Sequence, residues 1–102
     1  MTRFYTVALL LASTIISFGQ TKNTVSGYLK DVSDGEKLIG ATVYVLETKS
    51  GTATNAYGFY SLTLPSGDYT LEFSYIGFEK KIQKITLTQN LQLDVELSSE
   101  AQ

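Results

Sequence analysis

The chain has 102 residues, with eight Lys or Arg against ten Asp or Glu, and a formal charge of −2. It contains neither His nor Cys, which excludes imidazole bases, thiol nucleophiles, thiolate or imidazole metal sites and disulfides. The charge balance argues against a nucleic-acid partner, and 43% hydrophobic residues predict a chain that folds. Composition therefore favours one small domain that is not an enzyme and carries no cofactor.

The N-terminal residues predict a secretory signal peptide. Arg3 supplies a short cationic start, and residues 4–18 are uncharged and mostly aliphatic. Ser17 and Gly19 place small residues where a signal peptidase reads them. A buried strand pair and a transmembrane anchor are the alternatives, but the apolar run is shorter than the roughly 20 residues that span a bilayer. We therefore expect residues 1–19 to be removed on export.

Residues 20–102 alternate apolar and polar side chains in short runs, which predicts β-strands and no helix. Clusters containing Gly, Asn, Asp or Pro separate these runs. The step from Ile82 to Ile85 breaks the period of two and predicts a β-bulge. The seven predicted strands are residues 25–29, 39–46, 52–54, 59–64, 69–75, 82–87 and 91–97.

The predicted turns are built around residues with particular backbone preferences. Pro65 presets its own φ angle and Gly67 can adopt a positive one, so both are expected in the turn between the fourth and fifth strands. Asn55 and Gly58 flank a turn that needs residues tolerant of left-handed conformation. Gly77 is expected to bend the chain after the fifth strand. The complete set of structural turn residues is Gly40, Asn55, Gly58, Pro65, Gly67 and Gly77.

Seven short strands separated by turns predict an all-β fold, a β-sandwich with Greek-key connections. A closed barrel of five or six strands is the alternative. The sandwich is favoured because two sheets can bury the alternating faces without requiring a fixed shear.

Five segments follow one another at a characteristic spacing: residues 25–29, 35–43, 51–60, 64–69 and 73–78. Together they resemble the carboxypeptidase-regulatory-like domain, a transthyretin-like (prealbumin-like) β-sandwich, over about residues 24–97. The Ser-Tyr-Ile-Gly-Phe of residues 74–78 is similar to the version found at the N-terminus of TonB-dependent outer-membrane receptors of the starch-utilisation type.

The resemblance implies a non-catalytic accessory domain of a nutrient-uptake receptor, exported to the periplasm or the periplasmic side of a Gram-negative outer membrane. Periplasmic or outer-membrane transport proteins are the partners it implies. In such receptors a TonB-contacting segment, a plug and a barrel follow the domain. Since residues 20–102 include neither plug nor barrel, we expect a fragment, a truncated reading frame or a free-standing periplasmic domain. The zinc site of the carboxypeptidases lies in their other domain.

The acidic residues of one loop are a candidate metal or catalytic site. The carboxylates of Asp31, Asp34 and Glu36 share one loop, but they lack the ligand ladder and closing Glu of an EF-hand-type calcium site, so a solvated loop is expected. A glycosidase would need two carboxylates across a cleft, which loops this short do not provide.

Tyrosine side chains suggest the alternative function, a stand-alone exported module that recognises a glycan or a protein. Tyr44 and Tyr57 are the candidate ligand-binding residues, because the patterns place most other tyrosines in the core. Lys80, Lys81 and Lys84 surround one strand and are expected to protect a sheet edge from unwanted pairing.

Overall fold

A computed structural model describes residues 21–100, which form eight strands and no helix. Within this range no helix exists that could cross a membrane. The predicted signal peptide lies outside the described residues. The strands are β1 (Lys22–Asp31), β2 (Thr42–Val45), β3 (Ser50–Ala53), β4 (Phe59–Pro65), β5 (Gly67–Ser74), β6 (Lys81–Leu87), β7 (Leu91–Gln92) and β8 (Val95–Leu97).

The strands form two sheets of four. In the first sheet β1 is central, with β4 antiparallel on one side and β7 and β8 parallel on the other. The second sheet has the order β3-β2-β5-β6 and is antiparallel throughout. The prediction of an all-β sandwich built from two sheets is confirmed.

Alternation along the strands supplies the core between the sheets. On β1, for example, Val25 and Leu29 are fully buried while their neighbours are partly exposed. The rings of Tyr60 on β4 and Phe73 on β5 meet edge to face across the two sheets, with centroids 5.7 Å apart. The buried apolar residues are Val25, Leu29, Leu38, Ala41, Val43, Val45, Tyr60, Leu64, Leu71, Phe73, Ile85, Leu87, Val95 and Leu97.

The predicted last strand is divided into β7 and β8, so the described residues contain eight strands where the sequence predicts seven. The register with β1 is the same on both sides of the division. In a regular ladder the Tyr28 N–H would donate to the carbonyl oxygen of Leu93. Instead it donates to Asp94 Oδ1 at 2.9 Å, and the Leu93 carbonyl accepts a bond from the Tyr60 hydroxyl at 2.6 Å. A side-chain oxygen therefore replaces one carbonyl of the ladder.

The second strand is shorter than predicted because the chain turns before entering it. Gly40 has a φ of +78°, and Thr54 holds the turn from inside. Its buried hydroxyl donates to the carbonyl of Leu38 at 2.5 Å and accepts the N–H of Ala41 at 2.9 Å. β2 consequently begins at Thr42 rather than at residue 39.

The bulge predicted within the sixth strand is absent. β5 and β6 pair in one unbroken register, from Gly67 opposite Leu87 to Phe73 opposite Lys81. Ile82 is 61% exposed. The irregular spacing arises because an isoleucine lies on the outer face of a regular strand.

The connection between β4 and β5 differs from the predicted turn. Pro65 ends β4 and Gly67 begins β5, with Ser66 alone between them. Gly67 is not among the described residues with a positive φ. The two strands lie in different sheets, so the chain crosses between the sheets here instead of reversing within one.

The other predicted turn residues lie in turns. Gly58 and Gly77 have φ angles of +73° and +85°. Asn55 contributes through its side chain rather than through a left-handed backbone: its Oδ1 accepts the N–H groups of Tyr57 at 2.9 Å and Phe59 at 3.1 Å. It therefore acts as an Asx-turn residue.

Candidate interaction surface

Most of the exposed large apolar side chains lie at one end of the sandwich. Thr42 pairs with both Ala53 and Ser74, so the loops that precede β2 and follow β3 and β5 share this end. We call residues 32–41, 54–58, 75–80 and 98–100 the loop end. Of the exposed large hydrophobic residues in the described chain, four belong to the loop end: Val32, Ile39, Tyr57 and Ile76.

The most exposed of these, Ile76, sits on a turn that is fixed from within. The N–H of Phe78 donates to the carbonyl of Tyr75 at 3.0 Å. The two rings pack against each other at a centroid distance of 5.6 Å. Gly77 supplies the positive φ that closes the turn. The side chain of Ile76 itself is 95% exposed.

Residues after β8 stabilise the same turn through backbone hydrogen bonds. The N–H of Glu79 donates to the carbonyl of Ser98 at 2.8 Å, and the N–H of Glu100 donates to the carbonyl of Gly77 at 2.9 Å. A groove of about 400 Å³ lies beside the turn, and Gly40 also lines it. Packing and turn geometry explain Tyr75, Gly77 and Phe78, but no contact among residues 21–100 requires an isoleucine at position 76.

The two candidate ligand-binding tyrosines lie on different surfaces. Tyr57 is 70% exposed in the turn after β3, at the loop end. Tyr44 is half-buried on the outer face of the second sheet, opposite Gly51 on β3 and Glu72 on β5. A glycan platform built from both rings would require them on one surface.

A third tyrosine, Tyr28, has its ring already covered. The Phe59 ring meets it edge on at a centroid distance of 5.2 Å, and Lys37 Nζ lies 4.8 Å from its centre. The lysine ammonium thus covers one face of the ring on which a sugar would stack.

The acidic loop uses its carboxylates locally. Asp31 Oδ1 accepts the N–H of Ser33 at 2.9 Å and its hydroxyl at 2.8 Å. Asp34 Oδ1 accepts the N–H of Glu36 at 2.9 Å. Residues 21–100 contain no group of three or more His, Cys, Asp or Glu placed to hold a metal ion. The loop therefore has the geometry of consecutive Asx turns.

Two hydrogen-bonded side chains have shifted pKa values. Hydrogen bonds from the backbone and hydroxyl of Thr70, both 2.7 Å long, hold the pKa of the Glu47 carboxyl below its usual range. Burial, together with the nearby Asp94 carboxylate, raises the pKa of Tyr60 well above its ordinary value. Glu47 joins the segment after β2 to β5, and Tyr60 reaches past β1 to the segment between β7 and β8. The pKa shifts follow from these structural roles.

The lysines predicted to protect an edge lie on or beside β6, which is an edge strand of the second sheet. Lys80 Nζ is 3.2 Å from Glu72 Oε1. This placement agrees with the predicted role.

Ile76 and Gly27 have roles that sequence reasoning missed. A side chain that the fold leaves exposed cannot be identified from a pattern in which isoleucine normally signals the core. Gly27 lies within a predicted strand, yet a Cβ atom there would overlap the carbonyl oxygen of Leu93. Its presence in a strand interior was the available signal, because glycine there often marks a close approach of another backbone.

Comparison with known proteins identifies the family. Residues 25–102 match the model of the CarboxypepD_reg-like domain. The chain is 32% identical over 98 residues to the TonB-dependent receptor P39 of Formosa agariphila, a match that covers 96% of the chain and 9% of the receptor. It is 33% identical over 102 residues to the TonB-dependent receptor SusC of Bacteroides thetaiotaomicron, covering 95% of the chain and 10% of the receptor. The chain thus spans about a tenth of these relatives.

Among solved structures, catechol 1,2-dioxygenase from Acinetobacter radioresistens is similar, with a TM-score of 0.65 and 13% identity. The match covers 81% of this chain and 53% of that one. At this identity the likeness concerns the fold alone.

Proposed function

The chain belongs to the CarboxypepD_reg-like domain family, and on that premise we propose that it is a non-catalytic accessory domain of a TonB-dependent nutrient-uptake receptor. It acts through protein–protein contacts on the periplasmic side of the outer membrane, after export directed by residues 1–19. The sandwich is of the transthyretin-like, Greek-key type. Matches to TonB-dependent receptors along nearly the whole chain support this role.

The observation that carries the proposal is the fixed turn that exposes Ile76. Burial of an isoleucine side chain contributes roughly 1.5–3 kcal/mol. Here hydrogen bonds, ring packing and the residues after β8 hold the turn in one conformation. Little conformational entropy remains to be lost when a partner covers it. The loop end is therefore a contact surface for the rest of a receptor or for a transport protein beside it.

The test exchanges domains in a relative. In SusC, the segment that aligns with residues 21–100 is deleted or replaced by those residues of this chain, and uptake of the receptor's own substrate is measured at matched receptor levels. We expect deletion to lower uptake and replacement to restore it. In the replaced receptor, Ile76→Asp should lower uptake as deletion does. Leu46→Asp, at the opposite end of the sandwich, should not.

Equal uptake by the deleted and replaced receptors would contradict the receptor role. Strong glycan binding by the purified chain that disappears in Tyr57→Ala would support the exported binding module instead.

A further inference from the structure

β6 has the least obstructed outer edge among the edge strands of residues 21–100. It is seven residues long and keeps an unbroken register with β5. It contains neither Pro nor Gly. By contrast β3 has four residues, β4 ends in Pro65, and the edge formed by β7 and β8 is interrupted at Leu93 and Asp94. An uninterrupted edge presents a row of N–H and C=O groups to another strand.

The hydrogen bonds of Thr70 show which groups of β6 face outward. The N–H of Leu46 donates to the Thr70 carbonyl at 3.1 Å, and the Thr70 N–H donates to Glu47. Both backbone groups of Thr70 therefore point away from β6. Since Thr70 is paired with Lys84, the alternation of an antiparallel ladder places the N–H and C=O groups of Lys84 on the far side of β6. The same holds for Ile82 and Thr86. On that side the Lys84 carbonyl accepts a long bond from Gln83 Nε2 at 3.3 Å, which an added strand would replace.

Two lysines lie on either side of an exposed isoleucine along this edge. Ile82 and Lys84 lie on the outer face of β6. Lys80, which precedes the strand, reaches Glu72 on the same face. Lys81 adds a further exposed cation at the start of the strand. The carboxylates nearest Lys80 and Lys84 belong to Glu72, Asp68 and Glu47, which lie on the inner side of this row, toward β5 and β2. Glu79 and Glu96 lie beside Lys81 at the start of β6. The cationic part of the outward side of β6 is therefore centred on Lys84.

We propose that β6 accepts an extended protein segment as a fifth strand of the second sheet, and that the segment carries acid, apolar and acid side chains at alternate positions. Residues opposite one another on adjacent strands have Cβ atoms about 5 Å apart. Carboxylates would face Lys80 and Lys84, and a β-branched residue would pack on Ile82. The pattern reads the same in both directions, so it suits either strand orientation.

The same lysines disfavour a second copy of this chain. Two β6 strands paired antiparallel about their centre would place Lys84 beside Lys84, and like charges directly opposite destabilise a pair. The edge therefore favours pairing with an acidic strand over pairing with the β6 strand of a second copy. This inference rests on the proposed contact role of the domain and names the partner's chemistry.

The test uses the purified chain and the capped peptide Thr-Glu-Thr-Val-Thr-Glu-Thr, with Thr-Lys-Thr-Val-Thr-Lys-Thr as its matched control. Titration is followed by amide chemical shifts. We expect the acidic peptide to shift the amides of Ile82, Lys84 and Thr86, and binding to weaken as NaCl is raised from about 50 to 500 mM. Lys84→Glu should weaken binding at least tenfold. Lys22→Glu, the same charge change on β1, should leave binding unchanged.

Ile82→Pro removes an outward N–H without removing a bond to β5 and should abolish binding, whereas Ile82→Thr keeps the N–H and should retain most of it. Equal binding of the lysine peptide, amide shifts confined to the loop end, or a dimer formed through β6 would overturn the proposal. So would preferential binding to vesicles of anionic phospholipid. Loss of SusC uptake with peptide binding intact would count against the receptor role alone; peptide failure with uptake restored would count against the β6 site alone.

Discussion

The edges of the two sheets on the side of β6 and β8 are protected in different ways. The edge of the first sheet, formed by β7 and β8, is interrupted where Asp94 accepts the Tyr28 N–H in place of a backbone carbonyl. The edge of the second sheet, β6, has an unbroken ladder and carries lysines. The interrupted ladder makes the first edge a poor site for strand pairing, and the lysine charges protect the second edge from it.

The difference separates two kinds of specificity. An edge interrupted in its backbone is a poor template for any strand, whatever the sequence of that strand. An edge guarded by charge repels cationic strands and its own copies but remains open to an acidic one. Substitutions at the first edge should therefore change the free energy of unfolding, and substitutions at the second should change which partners bind.

The largest expected effect is that of Gly27→Ala. The new Cβ would overlap the Leu93 carbonyl, which belongs to the backbone and cannot rotate away. We expect a loss of about 3 kcal/mol in the free energy of unfolding, measured by urea denaturation. Gly67→Ala is the control, because its Cβ would meet only the Tyr69 ring at 3.8 Å. Equal losses in the two variants would show that the interruption does not depend on the close approach.

Tyr60→Phe removes the hydroxyl that bonds the Leu93 carbonyl. At pH 7 we expect a loss of about 1–2 kcal/mol, because that carbonyl would lose its buried partner. The raised pKa of Tyr60 adds a second signature. Above pH 10, the ordinary pKa, Tyr60 ionises in the unfolded chain but stays protonated in the folded one. Wild-type stability should then fall by about 1 kcal/mol between pH 10 and pH 11 relative to the variant.

Urea denaturation of both proteins at pH 7, 10 and 11 measures this difference. A constant difference from pH 10 to 11 would mean that Tyr60 ionises equally in both states.

Asp94→Ala deprives the Tyr28 N–H of its acceptor. Because Asp94 is exposed, water can replace part of the lost bond, and we expect a cost of about 1 kcal/mol. Thermal unfolding and hydrogen exchange of the Tyr28 amide measure the loss. Asp94→Asn keeps an acceptor oxygen and should preserve amide protection; equally fast exchange in both variants would contradict the assigned bond.

The smallest effect is expected at Glu47. Its lowered pKa means that the folded state favours the carboxylate, so its contribution to stability is present above the ordinary pKa of 4.5 and disappears as the pH falls through the lower folded value. Glu47→Gln should flatten the dependence of stability on pH below 4.5, as measured by unfolding at pH 7, 4.5 and 3. Glu96→Gln on β8 is the matched control, and an unchanged acid dependence in Glu47→Gln would remove the assigned role.

Local patterns predicted the strands but not where their hydrogen bonds go. Residues 91–97 alternate regularly, yet the strand is interrupted. The distant Tyr60 hydroxyl bonds the Leu93 carbonyl, and the Asp94 carboxylate accepts the Tyr28 N–H that a regular ladder would give to that carbonyl. Pro65 and Gly67 form a reasonable turn sequence, but local chemistry does not reveal that the following strand joins the other sheet. The spacing of Ile82 and Ile85 predicted a bulge, which was wrong. Ile82 is instead exposed on a regular strand, because β6 lies at the edge of its sheet.

The candidate sites were predicted less well than the fold. Tyr57 lies in an exposed turn as its neighbours suggested, whereas Tyr44 is half-buried on a sheet face. The exposure of Ile76 depends on contacts from residues 98–100, which no local pattern around position 76 contains.

The central position of β1 also determines when the domain can fold. Its partners are β4 on one side and β7 and β8 on the other, so the first strand of the fold is completed by the last. Contacts between such distant segments slow folding and require nearly the whole chain to be present. A ribosome that has released only β1 to β6 would leave the first sheet half-built, so folding is delayed until synthesis of the domain is finished. Under the export proposed above, that delay would keep the chain unfolded while it crosses the membrane.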